Sequence, residues 1–254
     1  MFLHRREWLL GAAGGLALSL TGATAMTQRA ASQGVRAIAF DAFPVFDPRP
    51  VFALAEELFP GKGSVLSETW RIRQFEYVWL RTIAERYADF WQVTEDALIY
   101  AAKALKVDLT AERRERLMQA YLKLPSWPDA IPALRSLKEA GFRLAFLSNF
   151  TSRMLEAGIR NGHLDGLFEH SLSTDAIQSY KPAPRAYRMA IDAFGLKREE
   201  ILFAAFAGWD AAGARSFGYK TFWVNRMNLP AEELGEAADG TGDSLADLVT
   251  FLSA

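Results

Sequence analysis

Asp41 closes a short apolar run, Val35–Phe40, and its carboxylate is the first group in this chain with chemistry to offer. Such a run reads as a buried strand of a parallel sheet. Ligands of open α/β sheets bind beyond the carboxyl ends of the strands, so a carboxylate there sits at the mouth of a site and suits a nucleophile. The same residue fits an ordinary turn before Pro44, and on this segment alone both readings stand. Three more positions share its setting. The run LAFLSN at 144–149 ends on Ser148 and Asn149, Lys181 lies in the loop SYKPAPRAY at 179–187 before a helix, and Asp210 follows the run beginning ILFAAFAGW at 201. Taken singly, Lys181 also fits a surface loop and Asp210 a helix N-cap.

These positions need a scaffold, and the hydrophobic pattern supplies one. Residues 26–34 read as a linker and Val35–Phe40 as the first strand. A mostly helical stretch follows at 51–124, with helical periodicity in Leu66, Trp70, Phe75, Tyr77, Val78 and Leu80. Leu124-Pro125-Ser126-Trp127-Pro128 breaks it. From Asp129 the pattern alternates: helix 129–140, strand 142–147, helix 151–161, strand near 170–173, helix 183–194, strand 201–206, helix 210–217, strand 220–225 and a last helix near 243–252. This predicts an α/β fold, a doubly wound parallel sheet made of 35–50 and 125–254, with 51–124 as an inserted helical cap. The acidic, glycine-containing stretch 232–243 reads as a loop.

Composition narrows the function. Of 254 residues 50% are hydrophobic, enough for one substantial core, and the formal net charge is -1 with acids and bases interspersed. No basic stripe points to nucleic acid. The absence of Cys and the scatter of His4, His163 and His170 argue against zinc or iron–sulfur chemistry. Residues 1–25 stand apart: His4, Arg5 and Arg6, then an apolar stretch, then small residues at Ala23 and Ala25. This predicts a signal peptide cleaved after Ala25, with Ala31 as the alternative point. The paired arginines resemble the twin-arginine version, which implies its export machinery as a partner of the precursor and a periplasmic mature protein. An uncleaved membrane anchor is the other reading, although the apolar core is short for a span.

Together, the Asp, the Ser-Asn pair, the Lys and the second Asp resemble the four motifs of the haloacid dehalogenase superfamily. RIRQFEYVWLRTIAERYADFWQVT at 71–94 and KPAPRAY at 181–187 are similar to segments of its type II L-2-haloacid dehalogenases, and the resemblance runs from about Val35 to Gly235. It implies a hydrolase acting on carbon–halide bonds. Asp41 would attack C2 of a short 2-haloacid and leave an aspartyl ester, which water would then open. Asp210 would hold or deprotonate that water, and Lys181 would bind both carboxylates. Ser148 would take the substrate carboxylate, Arg71 and Asn149 would line the halide site, and Tyr187 would support the lysine–aspartate network. Phe43, Trp70 and Trp209 would wall the pocket. Of the two nearby arginines, Arg71 is favoured over Arg73 because it follows Trp70. The resemblance implies a small-molecule substrate and no cofactor, and is compatible with a homodimer.

Superfamily phosphatases carry a second Asp two residues after the nucleophile, which protonates a poor leaving group. Here that position is Phe43, which fits loss of halide, a leaving group that needs no proton. Asp210 stands amid Ala204, Ala205, Ala207 and Gly208, so no metal site is expected. The chain also departs from the dehalogenase pattern. The family's Asp-Ala-Tyr-Gly-Thr-Leu-Phe-Asp becomes Asp41-Ala42-Phe43-Pro44-Val45-Phe46-Asp47, one residue shorter and without the threonine hydroxyl. A serine and an asparagine become Ala205 and Ala207. Losing one preorganised donor costs roughly 10²–10³ in rate. Three readings therefore remain: a dehalogenase whose site is held differently, a related hydrolase such as a phosphatase, or a non-catalytic binding protein on the same scaffold.

Overall fold

A computed structural model describes residues 34–253. The predicted signal peptide, and all of the predicted linker but Gly34, lie outside them. Six parallel strands form one sheet in the order β3-β2-β1-β4-β5-β6. They are β1 (Ala37–Phe40), β2 (Arg143–Ser148), β3 (His170–Ser173), β4 (Ile201–Ala205), β5 (Lys220–Val224) and β6 (Gly240–Gly242). β1 lies in the middle because every one of its residues is apolar and covered on both faces. The chain winds outward from it in both directions, so the strand order reverses at β1. That is the doubly wound sheet expected from the sequence. The short β6 is an addition, inside a stretch expected to be loop.

Strand alternation sends side chains to two cores. Ile38, Phe40, Leu144, Phe146, Leu202 and Phe222 pack toward α5 (Ala130–Glu139), α6 (Ser152–Asn161) and α9 (Leu245–Ser253). Ala37, Ala39, Ala145, Phe203 and Ala205 pack toward α7 (Pro184–Phe194) and α8 (Gly208–Phe217). The alanines let these two helices approach the strand ends closely, which brings Tyr187 and Asp210 to the sheet edge.

The cap comprises α1 (Arg49–Leu58), α2 (Gly63–Ile83), α3 (Phe90–Ala104) and α4 (Ala111–Ala120). α1 begins at Arg49, so the helical segment starts slightly before residue 51. An isolated antiparallel bridge between Phe46 and Ser126 closes the neck of the insertion. Asp89 and Thr110 cap α3 and α4, accepting from the amides of Gln92 and Arg113. Leu66, Trp70, Gln74 and Val78 recur every four residues and form the buried stripe of α2. Gly63 is required where α2 starts, because a Cβ there would lie 2.2 Å from the Glu56 backbone in α1. Tyr87 Oη donates to Asp175 Oδ1 at 2.6 Å, Tyr180 Oη donates to Ala88 O, and Phe90 packs on Phe150 and Tyr180. These contacts hold the cap over the carboxyl edge of the sheet. Among the described residues, no helix is long and apolar enough to cross a membrane.

Candidate active site

Asp41 directly follows β1, whose Phe40 pairs with Phe146 of β2 and Ala204 of β4. The parallel register therefore delivers Asp41, Ser148-Asn149 and the start of α8 to one edge. Lys181 comes from the loop before α7 and is 1% exposed. Its Nζ donates to Asp41 Oδ1 at 2.8 Å and to Asp210 Oδ2 at 2.5 Å. Asp41 Oδ2 accepts from the Phe43 amide at 3.2 Å, so both oxygens of the carboxylate are held. Asn149 Oδ1 accepts from the Lys181 amide at 3.0 Å and from Thr174 Oγ1 at 3.3 Å, tying the lysine loop to β2. Tyr187 Oη donates to Asp210 Oδ1 at 2.7 Å. Gly213, one turn along α8, makes room for this phenol: a Cβ there would stand 2.7 Å from Tyr187 Oη.

Electrostatics follow from burying two carboxylates around one ammonium. Burial opposes the Lys181 charge, but Asp210 and Asp41 outweigh it and hold its pKa above the ordinary lysine value. Burial pushes Asp210 up to about 6; Lys181 pulls it back, while the Asp41 charge adds to the rise. Tyr187 is pushed well above the ordinary phenol range by burial and the Asp210 charge, so it stays a neutral donor. Asp210 lies in the first turn of α8, where free backbone amides favour a carboxylate. The helix starts at Gly208 with Ala207 as its N-cap, so Asp210 is not the capping residue that the sequence also allowed.

Asp41 and Asp210 reach a cavity of about 440 Å³ between cap and core. Phe43, Arg71, Ser148, Asn149 and Trp209 line it. One residue expected to wall it, Trp70, does not. Trp70 is turned into the cap, its indole N–H donating to Thr94 O at 2.8 Å and its ring meeting Tyr121 edge-on. Neighbours on a helix point about 100° apart, so with Arg71 facing the cavity Trp70 faces the α2–α3 packing. Tyr187 is fully buried behind Asp210 and supports the carboxylate from outside the cavity. Arg71 lies 5.6 Å from the Phe52 ring centroid, whereas Arg73 pairs with Glu76 at 2.7 Å and stacks on Tyr100 outside the cavity. Ser148 Oγ accepts from the Phe150 amide at 3.1 Å, which leaves its hydroxyl hydrogen to donate.

Sequence reasoning gave no place at the site to Phe52, Phe75, Trp79, Phe90, Phe150 or Phe206, which complete an aromatic wall. The density of aromatics on the cap helices was the available signal. Helical spacing alone could not separate those facing the sheet from those filling the cap. Phe43 packs edge-on against Phe150 and tilted against Phe206, with centroids 5.0 and 5.5 Å away. Among the described residues, no three His, Asp or Glu side chains converge in a way that could hold a metal ion.

Comparison with known proteins agrees with this geometry. Residues 23–218 match the family model of haloacid dehalogenase-like hydrolases. The chain is 42% identical over 216 residues to an (S)-2-haloacid dehalogenase of Pseudomonas sp. (strain YL), covering 85% of this chain and 93% of that protein. The crystal structure of the L-2-haloacid dehalogenase RSc1362 superimposes with a TM-score of 0.85 at 44% identity, over 87% of this chain and 99% of that one. The L-2-haloacid dehalogenase of Xanthobacter autotrophicus with chloropropionic acid covalently bound gives 0.79 at 31% identity, over 86% and 98%.

Proposed function

The chain belongs to the haloacid dehalogenase-like hydrolases, and we propose that it removes halide from short 2-haloalkanoic acids to give 2-hydroxy acids through an ester on Asp41. The observation that carries this reading is Lys181 clasped between Asp41 and Asp210 at an aromatic-walled cavity. The lysine fixes two carboxylates that would otherwise repel, one for each half of the reaction.

In the first half an Asp41 oxygen attacks C2, a C–O bond forms, the carbon–halogen bond breaks and halide leaves with its electron pair. No acid is needed, and Phe43 offers none. The apolar wall keeps competing water away from C2, while Arg71 and Asn149 receive the departing anion. Ser148 Oγ, with its hydrogen free, donates to the substrate carboxylate. In the second half water attacks the Asp41 carbonyl carbon and Asp210 takes its proton. The bond from that carbon to the alkyl oxygen breaks, the released oxygen is protonated, and Asp41 is regenerated.

Halide release from 2-chloropropionate and haloacetates, with an Asp41→Asn control, tests the reading. Activity is expected to survive EDTA in full, because Phe43 and Ala207 add no hard oxygen ligand and, among the described residues, no three His, Asp or Glu side chains converge to hold a metal ion. Loss with EDTA and recovery with magnesium would instead establish a phosphatase-like enzyme.

We also propose that residues 1–25 direct export by the twin-arginine route. The support is their charged start, apolar run and small residues at Ala23 and Ala25. The precursor should shorten by about 25 residues in the periplasm. Replacing Arg5 and Arg6 together by Lys should block this. Unchanged processing would point to the general secretory route, and a mature chain that keeps Met1 would end the signal-peptide reading.

A further inference from the structure

The loop after Asp41 has lost the threonine hydroxyl of its family's pattern and carries Pro44 in place of a glycine. It is nevertheless held, and from outside the site. Four successive carbonyls, those of Phe43, Pro44, Val45 and Phe46, all accept hydrogen bonds from two residues. Trp127 Nε1 donates to Phe43 O at 2.9 Å and to Phe46 O at 3.1 Å, and the Trp127 amide donates to Val45 O at 3.0 Å. Arg226 donates to Pro44 O through Nε at 3.1 Å and Nη2 at 2.7 Å.

Arg226 follows the end of β5, and its side chain is only 5% exposed. Its guanidinium lies 4.5 Å from the Trp127 ring centroid and grips both oxygens of Asp129 at 2.9 and 3.0 Å. Asp129 also accepts from the Leu245 amide at 2.7 Å, so the clamp is anchored to α9. The charge of Arg226 is already balanced by Asp129, and its planar fork is spent on these two partners. On its other side the same loop turns the Phe43 amide to Asp41 Oδ2 and the Phe43 ring into the cavity.

We propose that Arg226, seated on Trp127, is a positioning residue that fixes the angle at which Asp41 meets the carbon it attacks. The proposal rests on the reading of Asp41 as the nucleophile. Pro44 restricts the loop's own backbone, and Arg226 holds the one carbonyl of the four that Trp127 does not reach. A nucleophile must be held near its line of attack, and a displacement of about 1 Å can cost about 10²-fold in rate.

The test uses the whole chain with Arg226→Ala, Arg226→Lys and Trp127→Phe. The last removes the indole N–H with part of the ring, keeps the backbone amide and an aromatic face under Arg226, and covers the case in which Arg226→Ala does not fold. With 2-bromopropionate, Arg226→Ala should lower kcat by about 10²-fold at nearly constant KM. Arg226→Lys should recover part of the loss, since an ammonium replaces the fork. Trp127→Phe should lower kcat by about tenfold. Arg49→Ala serves as the control: Arg49 also stacks on Trp127 at 4.5 Å and pairs with Asp47, but touches none of the four carbonyls, so its kcat should stay near wild type. Backbone hydrogen exchange gives a readout independent of turnover. Arg226→Ala and Trp127→Phe should speed exchange in peptides spanning 41–47 more than in the rest of the sheet. A folded Arg226→Ala whose kcat stays within about threefold of wild type overturns the proposal. So does unchanged exchange at 41–47. A wild-type chain inert to every haloacid would sink the proposed function instead, and the exchange result alone would then decide whether the clamp holds the loop.

Discussion

Asp41→Ala is expected to abolish halide release from every 2-haloacid, and the wild-type enzyme is expected to carry solvent oxygen on Asp41 after one turnover. Both follow from where Asp41 stands. It directly follows the central strand, both oxygens are held, and the other carboxylate that Lys181 binds, Asp210, is 1% exposed. If Asp41 attacks carbon, the hydroxyl oxygen of the first product comes from its own carboxylate. In ¹⁸O-water with enzyme in excess, label should enter Asp41 and be absent from the product. Mass spectrometry of the peptide spanning 35–49 reads the first, and of the hydroxy acid the second. Label in the first-turnover product would mean that water attacks the substrate and Asp41 is at most a general base. Full activity in Asp41→Ala would place the site elsewhere.

Much of this was legible in the sequence because local pattern and topology point the same way. Ala37–Phe40, wholly apolar after the exposed Arg36, reads as a doubly covered strand, and in such a sheet the residue after the central strand stands at the site. Asp41, Ser148, Asn149 and Asp210 inherit their places from that rule, and Lys181 from a loop tied to Asn149. The helical cap was less legible. Trp70 and Arg71 are adjacent, but a helix turns one to the cap interior and the other to the cavity, and which is which depends on the angle at which α2 packs on α3. Tyr187 is a core residue that touches the site through Asp210. Arg226 was invisible for another reason. Arg226 and its partners Pro44, Trp127 and Asp129 are together spread across more than half of the chain, and no local periodicity joins them.

Lys181→Ala and Asp210→Asn should separate the two halves of the reaction. Halide leaves without a proton, so ester formation asks little of Asp210, whereas water must lose a proton to attack the ester. Asp210→Asn should therefore slow ester hydrolysis by about 10²–10⁴-fold, the usual worth of a general base, and slow ester formation much less. A trapped Asp41 ester should then be visible by mass spectrometry. Lys181→Ala should do the same and also destabilise the fold by about 3–5 kcal/mol, because it leaves two buried carboxylates without their cation. pH provides the independent check. Asp210 is pushed up to about 6 by burial, so it gains its proton as pH falls through that value and can no longer take one from water. In the ester Asp41 carries no charge, so its share of the rise is gone: ester hydrolysis should fall on the acid side of a value below about 6, and ester formation should hold. Stability from this one group runs the other way. A carboxyl whose pKa is raised by folding binds its proton more tightly in the folded chain, so it favours the fold at acid pH and loses that contribution as pH rises through about 6. In Asp210→Asn the acid limb of the residual hydrolysis should vanish, because no group is left at that position to titrate. If the limb persists in Asp210→Asn, or if ester formation falls as steeply as hydrolysis, Asp210 is not the base and Lys181 is not dividing its charge between two steps.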